Sequence, residues 1–177
     1  MSWVLPAVDE WVGPGTVWWW WGAAAALAGR GADMLSTWIA TPRLELEGNP
    51  VARWLGWRRG VWLNLVVVPC VACWPMLAVS LATTSAMVAA RNLQMAWLMR
   101  TMGEGLYQIW FSDRVHEASR ALVLGCHLAE AFLTGGVGTL LVALGPSQVV
   151  SFGVGVGLCA YGFAIAAFTG WSLLRPR

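Results

Sequence analysis

Arg30, Asp33, Ser36 and Thr37 stand close together in an otherwise apolar stretch, and their offsets place Arg30, Asp33 and Thr37 on one helical face. Hydrocarbon does not solvate ionisable groups, so charges in such a stretch face a partner, a cavity or a substrate route. Arg30 and Asp33 can pair with each other, the guanidinium snorkelling toward the headgroups. The alternative makes Asp33 a ligand or proton site, with Glu47 brought back from the segment that follows. Glu45, Glu47, Asn49 and Pro50 form that segment. Asn before Pro starts a short helix, with Asn49 as cap and Pro50 in the first turn, leading into Val51 to Trp57 along the interface, so the dipeptide has a purely structural use. Glu47 then reads either as a solvated loop carboxylate or as a member of the polar site.

Taken together, Asp33-Met-Leu-Ser36-Thr37 followed by Glu47-Gly-Asn49-Pro50-Val-Ala-Arg53 resembles the signature of an uncharacterised family of small polytopic prokaryotic membrane proteins. In that family the first helix carries Asp-x-x-Ser/Thr and the first loop carries Glu-x-Asn-Pro. The resemblance covers the first third of the chain and implies that these polar residues belong together.

Cys70-Val-Ala-Cys73, preceded by Pro69, is similar to the dithiol of membrane quinone-linked disulfide oxidoreductases, which would imply thiol redox catalysis at Cys70 and Cys73. A working dithiol must meet a soluble thiol at the edge of the bilayer. The span limits given below put this pair near the middle of a span, and Cys126 and Cys159 fall inside two others. The four cysteines are therefore expected to be buried small hydrophobes. His127 and Glu130 lie three apart in the fourth span. A neutral imidazole at membrane depth suits haem iron or chlorophyll magnesium, so His127 is the candidate ligand for a bound pigment or haem. No second membrane-depth His offers a bis-histidine site, since His116 lies ~16 Å away along a helix. The simpler expectation is a hydrogen bond between His127 and Glu130, or from either to Asp33 or Arg91.

These residues need helices in a membrane to position them. Hydrophobic residues make up 58% of the 177 and charged residues 11%, a balance that a water-exposed domain hardly tolerates. The predicted fold is all-α, a single transmembrane helical bundle over 1–177. Its spans are expected at about 17–39, 61–79, 84–102, 118–144 and 148–174, with an interfacial helix at about 104–117. All 11 positive residues are Arg. The apolar stretch 61–102 is divided because two spans, turning near Ser80 to Ser85, leave every Arg-rich connection on one face. A single span breaks the positive-inside rule. The N-terminus is then outside and the C-terminus, with Arg175 and Arg177, cytoplasmic. Met1 to Gly15 has Asp9 and Glu10 but no Arg, so no secretory signal is expected, and Trp3 and Trp11 suit an interfacial strap. Pro69 and Pro75 are expected to kink the second span. Gly153 and Gly157, with Ser151, Gly155 and other small residues of the last two spans, are packing faces.

No complete catalytic or metal-binding set is present, so the first expectation is a non-catalytic accessory subunit of a larger photosynthetic or respiratory membrane complex. Trp18, Trp19, Trp20 and Trp21 would contact a partner, lipid or pigment. A small transporter or channel using Arg30, Asp33, His127 and Glu130 is the second, and a membrane enzyme, thiol-redox or metal-dependent, the third. Membrane lipids and other membrane subunits are the expected partners and nucleic acid is not. A prokaryotic inner membrane is the expected location.

Overall fold

A computed structural model describes residues 6–174, the side chains of 170–174 excepted. Trp3, Arg175 and Arg177, and with them the expected cytoplasmic tail, lie outside the described residues. Six helices follow in order: α1 (Val17–Ala40), α2 (Pro50–Val71), α3 (Pro75–Met102), α4 (Glu104–Glu117), α5 (Arg120–Leu144) and α6 (Val149–Leu174). No strand occurs among the described residues. The helix starts follow capping chemistry. Thr16, Asn49 and Ser119 each accept a backbone N–H of the first turn, and Pro50 and Pro75 open their helices where no amide hydrogen bond is lost.

Among the described residues, α3, α5 and α6 are long and apolar enough to cross a membrane. Arg30, Asp33 and five indoles dilute α1, and Arg53, Arg58 and Arg59 dilute α2. Gly56 interrupts α2 with φ 63° and ψ −176°, a conformation open to glycine, and separates Pro50 to Leu55 from the longer remainder of the helix. The α4 limits coincide with the helix expected at 104–117.

The division of the long apolar stretch differs from expectation. The turn lies at Ala72–Trp74, and α3 runs unbroken through Ser80 to Ser85. Consequently the second and third long helices replace the expected limits 61–79 and 84–102. The hydroxyls that suggest a turn are satisfied within and between helices instead. Ser80 Oγ donates to Met76 O (2.8 Å) and lies 3.0 Å from Gly153 O, and Thr84 Oγ1 is placed likewise on Ser80 O and Gly157 O. Pro69 sits near the end of α2 and Pro75 in the first turn of α3, so they flank the turn rather than kink one span.

Contacts fix the helix directions. Along α1 and α3, Gly22 meets Ala78, Gly29 meets Ala82 and Thr37 meets Asn92, so the two run parallel. Ser80 and Thr84 meet Gly153 and Gly157 in the same sense, which makes α6 parallel to α3. Conversely Gly138 meets Gly155 while Ala131 meets Gly162, which makes α5 antiparallel to α6. Trp19 reaches Pro69 and Arg30 reaches Asn64, so α2 is antiparallel to α1. The helices form an open row in which α1, α3, α6 and α5 stand side by side and α2 leans on α1 and α3. Loop 41–49, the start of α2, the end of α3, α4 and the start of α5 share one end, with Arg43, Arg53, Arg58, Arg59, Arg100, Arg114 and Arg120. At the other end, the Val12 backbone N–H donates to Cys73 O at 2.8 Å and ties the N-terminal strap to the α2–α3 turn.

Small residues set the spacing. A Cβ at Gly29 would lie 2.6 Å from Ala82 Cα and 2.9 Å from its carbonyl oxygen, whereas one at Gly31 would meet nothing within 4 Å. Gly29→Ala is therefore expected to cost about 1–3 kcal/mol through overpacking. Gly31→Ala should leave stability unchanged or raise it slightly. Thermal unfolding in one detergent checks this, and equal midpoints for the two variants would disprove the α1–α3 contact at Gly29.

Candidate intramembrane polar site

Arg30 joins three helices. Its Nε donates to Asn64 Oδ1 at 2.6 Å, and its Nη1 donates to Asp33 Oδ2 at 2.6 Å and to Ser85 Oγ at 3.3 Å. The Arg30–Asp33 pair thus forms within α1, as the spacing suggests, and α2 and α3 add neutral acceptors to the guanidinium. Asn64 in turn donates to Gly60 O at 2.8 Å. In the sequence Asn64 is an isolated polar residue in an apolar helix, whereas Ser85 closes the Thr83-Thr84-Ser85 run and reads as part of a turn. The signal that could have found Asn64 is its isolation, since a lone amide among apolar residues needs an interhelical partner.

One turn further along α1, the Asn92 Nδ2 of α3 donates to Thr37 Oγ1 at 3.0 Å and to Ser36 Oγ at 3.3 Å. Ser36 and Thr37 are buried, and Ser36 Oγ also donates to Asp33 O at 2.9 Å. The two motifs of the first third meet here. Thr37, Thr41, Glu47, Gly48, Asn92 and Met99 line a cavity of about 60 Å³. Glu47 Oε1 accepts the Asn49 N–H at 2.8 Å, and Asn49 Oδ1 accepts the Val51 N–H at 2.9 Å. Glu47 therefore shapes the loop as well as facing the cavity, and Asn49 is a helix cap, as Asn-Pro implies.

Glu104, the first residue of α4, holds loop 41–45. Its carboxylate accepts from Thr41 Oγ1 (2.5 Å), Arg43 N (2.9 Å) and Glu45 N (3.0 Å). Leu44 turns the loop around it with φ 59°. Burial opposes the charge on Glu104, yet these three donors and the Arg43 guanidinium outweigh it and hold its carboxyl below the ordinary glutamate range. Sequence places Glu104 only as one of several polar residues of an amphipathic helix. Its partners come from about 60 residues away, a distance no local pattern bridges.

Beyond α3, Glu130 Oε1 lies 3.7 Å from Arg91 Nη1 and accepts from Tyr161 Oη at 3.3 Å. Of the partners considered for His127 and Glu130, the Glu130–Arg91 contact is the one that forms. His127 Nδ1 lies 2.8 Å from Val123 O, which a protonated Nδ1 satisfies within α5. No hydrogen bond or ion pair joins the Arg91–Glu130 pair to the Arg30–Asp33 pair among the described residues, and none of those residues forms a His, Cys, Asp and Glu group that could hold a metal. Cys70 and Cys73 do not lie mid-span. They fall at the end of α2 and in the turn after it, because that turn precedes the expected one, and Cys70 and Cys126 are exposed rather than buried. Trp19 Nε1 donates to Pro69 O at 3.1 Å, while Trp20 and Trp21 are 62% and 40% exposed and are open to a neighbouring surface.

No family model, curated protein or solved structure matches this chain. The site's chemistry therefore rests on its own geometry.

The depressed Glu104 pKa has a definite pH consequence. A carboxylate whose pKa is lowered on folding contributes stability above its unfolded value and loses it as pH falls through the folded one. Protection of the Arg43 and Glu45 amides from hydrogen exchange, corrected for the intrinsic rate, should therefore decline below about pH 4.3. Glu104→Ala should remove that protection at every pH. Glu104→Gln should keep a pH-independent remnant, and a parent without any acid loss would refute the carboxylate latch.

Proposed function

We propose that the chain crosses the membrane five times, with its Arg-bearing end cytoplasmic and its N-terminus outside, as a non-catalytic accessory subunit of a larger membrane complex. The alternating helix directions and the Arg residues gathered at one end favour this topology. A prokaryotic inner membrane is the location that the first-helix and first-loop motifs favour.

One observation carries the subunit assignment. Arg91 and Glu130 stand near the middle of α3 and α5, yet their side chains are 42% and 39% exposed. Charges at that depth cannot rest against acyl chains without a large cost. A neighbouring subunit that covers this face supplies the missing polar contacts. The Arg30–Asp33 pair, at 28% and 16%, is already enclosed by α2 and α3. The exposed Trp20 and Trp21 add aromatic surface of the kind that interfaces use. A transporter path through Arg30, Asp33, His127 and Glu130 finds less support, because the polar groups divide on either side of α3 instead of lining one route.

In a cysteine-free background, Ser147→Cys should react with a membrane-impermeant reagent from outside and Arg58→Cys should not; the reverse pattern refutes the orientation. Extraction with the surrounding lipid should recover the parent with other subunits, and Arg91→Gln or Glu130→Gln should lower that recovery several-fold by leaving one charge unpaired. A parent recovered alone, or variants recovered with unchanged partners, would defeat the subunit assignment.

A further inference from the structure

We infer that the cavity where α1 ends against α3 and the Glu47 loop binds a monovalent metal cation of about the size of sodium. Its volume of about 60 Å³ has room for such an ion with one or two waters. The lining pairs apolar Ala40, Leu46 and Met99 with four oxygen-bearing side chains, Thr37, Thr41, Glu47 and Asn92, of which the Thr41 hydroxyl already donates to Glu104 and accepts from Leu46 N. Asn92 commits its nitrogen to Ser36 and Thr37, which leaves its carbonyl oxygen as the free end of the amide.

Charge selects the ligand. Glu47 has no ion-pair partner among the described residues. The nearby guanidinium of Arg53 donates to the Glu47 backbone carbonyl, Arg43 is paired with Glu45, and Arg30 is paired with Asp33. No Arg lines the cavity. The last turn of α1 itself carries no basic residue, and the Arg100 guanidinium beside its end is placed over the Trp38 ring at 5.6 Å. Helix C-terminal ends of this kind coordinate sodium or protons in transporters. One carboxylate with neutral oxygens balances one positive charge, whereas calcium sites draw on more carboxylates and magnesium keeps several of its waters. This site is independent of the subunit assignment and is tested on the isolated chain.

The experiment is thermal unfolding of the full chain in detergent with sodium, potassium or N-methylglucamine chloride at equal ionic strength. Sodium a hundred-fold above its dissociation constant should raise the midpoint by about 5 °C or more over N-methylglucamine. Glu47→Gln should abolish the rise, and Asn92→Leu should reduce it should the Gln variant fail to fold. An equal rise in potassium supports the site as one for alkali cations generally. Equal midpoints in all three salts up to about 0.5 M mean that the cavity holds only water and overturn the proposal, as does a full rise in a folded Glu47→Gln or Asn92→Leu variant.

Discussion

α3 has a neighbour on each side at a distance that leaves no room for a Cβ on the facing glycines, and the row of helices depends on that closeness. Gly29 of α1 lies against Ala82, and Gly153 and Gly157 of α6 lie against Val79, Ser80 and Thr83. In lipid there is no hydrophobic gain from bringing two apolar helices together, so dispersion at short range and interhelical hydrogen bonds must hold them. α3 uses both. Its small residues admit α1 and α6, and its hydroxyls at Ser80 and Thr84 reach the backbone carbonyls that the glycines leave accessible. Gly138, Gly155 and Gly162 extend the same solution to α5.

Where small residues are scarce, side-chain hydrogen bonds take over. α2 meets α1 through Trp19 to Pro69 near one end and Arg30 to Asn64 near its middle, and the Trp57 indole donates to Pro42 O at 2.8 Å near the other end. Most of its apolar side chains remain exposed. Two modes of attachment therefore coexist. The α1–α3–α6–α5 row is held by continuous contact, whereas α2 is held at a few points and belongs to the less stable part of the molecule.

Much of the helical arrangement was legible in the sequence because its signals are local. Asn49-Pro50 starts α2, Gly145-Pro146-Ser147 separates α5 from α6, and the 104–117 amphipathic stretch forms α4. The Arg30–Asp33 pair was equally readable, as both partners lie within one helical turn. The turn before α3 was misplaced because Ser and Thr serve as turn formers in water and as interhelical donors in an apolar setting, and composition does not distinguish the two uses. That error also moved Cys70 and Cys73 from a helix end to mid-span. Asn64 and Asn92 escaped notice, Ser85 was read as a turn residue and Glu104 only as part of the 104–117 helix, because each acquires its meaning from a partner on another helix or loop.

The Arg30–Asp33 pair also bears on the order in which the chain is made. Synthesis delivers α1 before Asn64 or Ser85 exists, so neither can help that first helix offset its charge. With the counter-ion three residues from the guanidinium on the same helix, α1 carries a neutral pair instead of a bare cation from the outset. The later helices need only add neutral acceptors to a charge already balanced. A counter-ion on α2 or α3 would instead leave Arg30 unmatched through the interval in which α1 is alone.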